Sequence, residues 1–125
     1  MPRTTTGQQY DKRHALTVVA IAAISANRFV GADGQHATRA GGARDSVGIS
    51  EQAAAIGEDF PAVTSYSYLV EASEAIAEHD YVQPAADGSG RASVGTATAH
   101  CARAIGTASA AGRLVEVRIV THRNA

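Results

Sequence analysis

From Ala15 onward, turn signals recur every 8 to 15 residues, with short β-branched or alternating runs between them. That spacing leaves room for strands and very little for helices. Leu16 to Ile24 reads as a first strand, and Arg28 to Val30 as a second. Gly31-Ala32-Asp33-Gly34 then supplies a turn, because Asp-Gly tolerates a residue at positive φ. Gln35 to Arg39 returns, Gly41-Gly42 breaks the chain, and Ser46 to Ser50 is a further short strand. Phe60 to Ala72 is strand-like but alternates imperfectly, with Tyr66, Tyr68 and Val70 on one parity and Val63 and Leu69 on the other. Ser73 could cap a helix over Glu71 to Asp80. Glu74 and Glu78 would repel across one turn of it, however, and Tyr81-Val82-Gln83-Pro84 is extended, so no long helix is expected. Asp87-Gly88-Ser89-Gly90 is a turn, Arg91 to Val94 a short strand, and His100 to Ile105 another. Arg113 to Thr121 is the clearest strand, with Leu114, Glu116, Arg118 and Val120 on one face and Val115, Val117, Ile119 and Thr121 on the other. No internal repeat is visible.

A chain of 125 residues fits one domain, predicted here over 15–125. Its apolar content comes from Ala and Val, with no Trp and two Phe. A core so poor in aromatics is thin. That suits a β-sandwich or small barrel, and a protein that gains stability by self-association. Cys101 has no partner cysteine, so the fold does not depend on disulfides. The start of the chain is polar, and the apolar run Ala15 to Ile24 is interrupted by Thr17 and too short to span a bilayer. The expectation is a soluble protein made in a cytoplasm, with no membrane partner.

Charge is near balance overall but segregated along the chain. Asp45, Glu51, Glu58, Asp59, Glu71, Glu74, Glu78, Asp80 and Asp87 follow one another with no Lys or Arg between them, and both flanks are basic. Two readings stay open. Basic and acidic strands neutralise each other inside one domain, each exposed pair contributing about 0 to 1 kcal/mol. Alternatively, an acidic edge of one copy meets a basic edge of the next, which favours a defined register. Segregated charge and a thin core together predict a homo-oligomer, most simply a trimer.

Residues 1–14 have almost nothing apolar and form a predicted N-terminal arm. Its partner-binding candidates are Tyr10, as an anchor, with Lys12 and Arg13.

The patterns that would carry catalysis are incomplete. His100-Cys101 resembles a phosphatase nucleophile loop, but the phosphate-clamping arginine six residues on is Thr107. Cys101 is better read as a small buried residue. No two of His14, His36, His79, His100 and His122 have the spacing of a metal pair. Glu58-Asp59 and Glu78 with Asp80 lack any sign of a site that would separate their pKa values, or of a calcium loop. Gly88-Ser89-Gly90 is neither a nucleophile elbow nor a phosphate loop. The arginines are scattered singly, and Tyr66 and Tyr68 lie in the acidic part, which argues against nucleic acid. The chain is therefore predicted to be a non-enzymatic structural protein without cofactors or metals.

The order of phrases resembles a known family. Ile24-Ser-Ala-Asn-Arg-Phe-Val-Gly-Ala-Asp-Gly34, Val47-Gly-Ile-Ser50 and Ala55-Ile-Gly-Glu58 carry it, as do Leu69-Val-Glu-Ala72, Ala75-Ile76, Asp80-Tyr-Val82, Ala104-Ile-Gly106 and Ala110 to Val120. From about Ala15 to Val120 the chain resembles the capsid cement, or head decoration, proteins of tailed bacteriophages. These words are turns and strands, not a catalytic signature. The resemblance implies an all-β fold, a small β-barrel or tulip-like β-sandwich. It also implies copies that cluster on the outer surface of the virion head and clamp neighbouring major capsid proteins after expansion. Members often carry glycine where this chain has Ser73 and His79. The alternatives are a tail or fibre component, and a small ligand- or glycan-binding module, which would need a concave pocket with converging polar groups.

Overall fold

A computed structural model describes residues 15–38 and 46–120. Among the described residues there is no helix. The described residues form nine strands: β1 (Ala15–Val19), β2 (Phe29–Gly31), β3 (Ser46–Ser50), β4 (Asp59–Val63), β5 (Ser67–Glu71), β6 (Tyr81–Pro84), β7 (Ala92–Val94), β8 (Ala102–Ala104) and β9 (Leu114–Ile119). They make two antiparallel sheets, ordered β1-β4-β3-β2 and β5-β9-β8-β6-β7. The sheets do not close on each other, so the architecture is a sandwich and not a barrel.

The two sheets are copies of one design, which corrects the reading that the chain has no internal repeat. Leaving out β7, both have the same order of first, fourth, third and second strand. The links between strands match as well. Ile24 bridges Ala54 in the first half, and Ile76 bridges Ala108 in the second. The Ala20 amide donates to Glu58 and the Gly57 amide to Ala20, while the Ala72 amide donates to Arg113 and the Gly112 amide to Ala72. Asn27 and His79, each two residues before the second strand of its half, both have positive φ, at 61° and 74°. The sequence hid this because the halves share small buried positions and diverge on their surfaces.

Small residues make the shared hooks. Ala20, Ser50, Ala72 and Ala104 are buried where the chain leaves a strand and bends across the sheet. Four residues on, Ile24, Ala54, Ile76 and Ala108 return as the bridging pairs that roof the core. A larger side chain at the bend would hold the backbone off the sheet. This is why the predicted first strand stops at Val19 instead of Ile24. It also accounts for the ambiguous stretch after Glu71, which is a hook and turn, with Ser73 Oγ donating to the Ala92 carbonyl at 2.9 Å. The strand-like stretch from Phe60 splits into β4 and β5 at Tyr66, where φ is 66°.

Alternation distributes the apolar side chains between two cores. Val18, Ala20, Ile24, Val30, Ala54, Phe60 and Ala62 fill a small core under the first sheet's own hooks. The opposite face of that sheet sends Phe29 and Ile49 into the larger core of the second half, among Val70, Val82, Ala102, Val115 and Val117. The cores are as thin as composition requires: the two phenylalanines are their only aromatic members that are fully buried.

Candidate functional site

Tyr10, Lys12 and Arg13, the partner-binding residues expected from sequence, lie outside the described residues. The residues weighed for catalysis are occupied structurally. Cys101 is buried, and loss of hydration pushes its thiol up to about 12, far from a reactive thiolate. His100 turns away to place Nδ1 3.0 Å from the Thr96 carbonyl. Glu58 Oε1 accepts the Ala55 amide at 2.8 Å, and Asp80 Oδ2 accepts the Ala77 amide at 2.9 Å, so these carboxylates brace two tight turns, one leading into β4 and the other into β6. Asp87 Oδ1 accepts from Ser89 Oγ at 2.7 Å and from the Ser89 amide, which holds its carboxyl below the usual range. No group of three His, Cys, Asp or Glu among the described residues is placed to hold a metal ion.

Charge is partly neutralised inside the domain, at the seam between the halves. Arg28, just before β2, donates from Nη2 to Glu71 Oε1 at 3.2 Å and from Nη1 to the Ser89 carbonyl at 2.8 Å. Arg91 Nη1 lies 3.6 Å from Glu71 Oε2, and its Nη2 lies 3.9 Å from Asp87. Nearby, His36 Nε2 accepts the Ser25 amide at 3.0 Å, an arrangement that needs a neutral ring. Burial, and secondarily the Arg28 charge, lower the His36 pKa from its usual 6.5.

The feature that sequence reasoning missed is an open groove of about 520 Å³ on the outer face of the second sheet. It is lined by the apolar Ala104, Ile105 and Val120, by Tyr81, Arg103 and Arg118, and by Glu78. The Arg103 guanidinium sits 4.6 Å over the Tyr81 ring while its Nε donates to the His79 carbonyl at 3.0 Å. The His100 ring packs on the other partner, 4.6 Å from Tyr81 between centroids. Arg118 on β9 lies beside Arg103 on β8 in register, so two cations share one face. Alternation in the last strand had put Arg118 on the face opposite Val115 and Val117. Nothing in the linear order indicated that Tyr81 and Arg103 would join it. The arrangement offers an apolar floor under fixed positive charge, the chemistry of a docking surface.

The sequence profile described as phage cement protein matches residues 8–119, a span that includes Tyr10, Lys12 and Arg13. Among solved structures, the fold is similar to the head fiber gp8.5 N base in bacteriophage phi29. The TM-score is 0.66 at 18% identity, over 89% of this chain and 97% of that one. No curated protein matches the chain.

Proposed function

Because the chain belongs to the phage cement protein family, and is thus a structural component of the virion that binds the capsid, we propose that it decorates the outer surface of the expanded head. There it clamps neighbouring major capsid proteins. The family match over nearly the whole chain carries this reading. The all-β sandwich supports it, since such a role requires repeated modest interfaces and no converging catalytic groups.

Its action is mass action on a lattice. A protein that binds the assembled shell and not its free subunits stabilises each site by RT ln(1 + [L]/Kd), about 2.7 kcal/mol at a hundredfold excess over Kd. Self-association, with a trimer as the simplest form, links several such contacts into one unit and multiplies weak affinities. Residues 1–14 act as an arm that docks on the capsid, with Tyr10, Lys12 and Arg13 in contact.

The test compares heads made with and without the protein, heated while DNA release is recorded. Decorated heads should release DNA at a higher temperature. Equal release temperatures with the protein shown to be bound would refute the stabilising role. Removal of residues 1–14 should weaken particle binding without altering the melting of the free protein, and unchanged binding would remove the arm from the account.

A further inference from the structure

The duplicated architecture shows one surface used as a joint in the first half and left exposed in the second. In the first sheet, Ile49 pairs in register with Val63. Ile49 and its neighbour Phe29 face the second half and are buried there. The matching positions in the second sheet are Tyr81, Arg103 and Arg118, where Arg103 pairs with Tyr81 on one side and Arg118 on the other. These three form the rim of the groove on the outer face. The same side of the repeated unit is thus apolar where it is covered within the chain, and cationic with an apolar floor where it is not.

Something acidic with an apolar tip would fit there. The parts of the chain outside the described residues are unsuited to it. Residues 1–14, 39–45 and 121–125 each carry more Arg and Lys than Asp and Glu. The first half of the chain does present the complement. In the turn between the Ser50–Ala54 hook and β4, Ile56 is 72% exposed, and after Gly57 come Glu58 and Asp59, both exposed. Among the described residues neither Glu58 nor Asp59 makes an ion pair. The equivalent turn of the second half ends in Gly112-Arg113-Leu114, so the halves have diverged to opposite charge at this tip as well.

We propose that the groove bordered by Tyr81, Arg103 and Arg118 receives the Ile56–Glu58–Asp59 turn of a second copy of this chain. Ile56 lies on the floor of Ile105 and Val120, and the two carboxylates meet the two guanidiniums. Glu78, also on the rim, lies beside His79, 3.7 Å from its Nε2. The contact joins two different patches, so it is heterologous, and its repetition gives a closed ring if the rotation per copy closes. This deepens the proposed self-association of the cement protein by naming the surface through which copies meet.

Charge exchange tests it in the full-length protein, by sedimentation velocity over a range of concentrations. Arg103→Glu with Arg118→Glu should raise the dissociation constant of self-association at least tenfold, and Glu58→Arg with Asp59→Arg should do the same. All four substitutions together should restore association. The fourfold variant should also fail to exchange subunits with the wild type, because wild-type groove and exchanged tip then carry like charge. Ile56→Lys, at an exposed position with no packing to lose, provides an independent break. Circular dichroism melting confirms that each variant is folded. A monomeric wild type, association unaffected by the double substitutions, or no recovery in the fourfold variant would each overturn the proposal. Particle binding is measured separately. Variants that bind heads as monomers would leave the cement role standing without this interface, and wild type that associates but does not bind heads would fail the cement role alone.

Discussion

Phe29→Ala and Phe60→Ala should differ in cost although both side chains are 1% exposed. Replacing a buried phenylalanine by alanine costs about 3 to 5 kcal/mol, and the position within that range depends on how far the surroundings collapse into the space left. Phe29 lies in the core shared by both halves, against Ala and Val side chains carried on strands. Its own backbone is held on both sides: its amide donates to Gly90 at 2.7 Å, and its carbonyl accepts the Ala37 amide at 2.9 Å. Little can move in, so its loss should cost about 5 kcal/mol. Phe60 lies under the hooks of the first half, roofed by Ile24 and Ala54, whose outer neighbours are solvent-exposed. That roof can settle inward, and the cost should be about 3 kcal/mol. Domains of this size have about 5 to 15 kcal/mol in total, so Phe29→Ala approaches the limit of foldability. Urea denaturation at equilibrium measures both, with Phe29→Leu as a milder substitute should the alanine variant not fold. Phe60→Ala costing as much as Phe29→Ala or more would refute the argument that the joint between halves is the rigid part of the molecule.

Acid should weaken the fold through His36. Its pKa is lowered on folding, so the unfolded state takes up the proton first as pH falls below about 6.5. Stability is therefore full above that pH and declines below it until the folded-state pKa is passed; His36→Gln should flatten the slope of urea midpoint against pH, and an unchanged slope would count against it. Cys101, with its thiol raised to about 12, should react with a thiol reagent at neutral pH only as fast as the protein unfolds. Cys101→Ala should cost no more than about 1 to 2 kcal/mol and leave particle binding intact; rapid labelling of the native protein would contradict the burial. Gly34→Ala places a Cβ 2.1 Å from the Val19 carbonyl oxygen at φ +88°, whereas Gly88→Ala at φ +79° meets nothing within 4 Å. Thermal melts should show Gly88→Ala losing only the conformational cost of about 1 to 2 kcal/mol and Gly34→Ala distinctly more; equal losses would mean that the β1 contact is not tight.

Much of the fold was legible locally. Ser46–Ser50 and Tyr81–Pro84 are strands over the spans the pattern indicates, and Val115 and Val117 are buried on the face that alternation assigns them. Other boundaries were not, because the hooks are made of ordinary Ala, Ser and Ile that read as continuing strand. His79 is instructive. The family resemblance places glycine there, and the backbone does take φ 74°, while Ser73 is not among the positive-φ residues. The groove was illegible for a different reason: Tyr81 comes from β6, Arg103 from β8 and Arg118 from β9, and strand order brings those residues together.

The sequence by itself determined the class of this protein. Frequent turns forced short strands, the lack of aromatics forced a thin core, and phrases spread along the chain identified the family, all of which depend on neighbours a few residues apart. The tertiary structure alone decided that the chain is one unit built twice, and that the same face is apolar in one copy and cationic in the other. Such facts depend on strand pairing between residues distant in sequence, and a pattern with period two along a strand says which face a side chain takes but not which strand lies beside it.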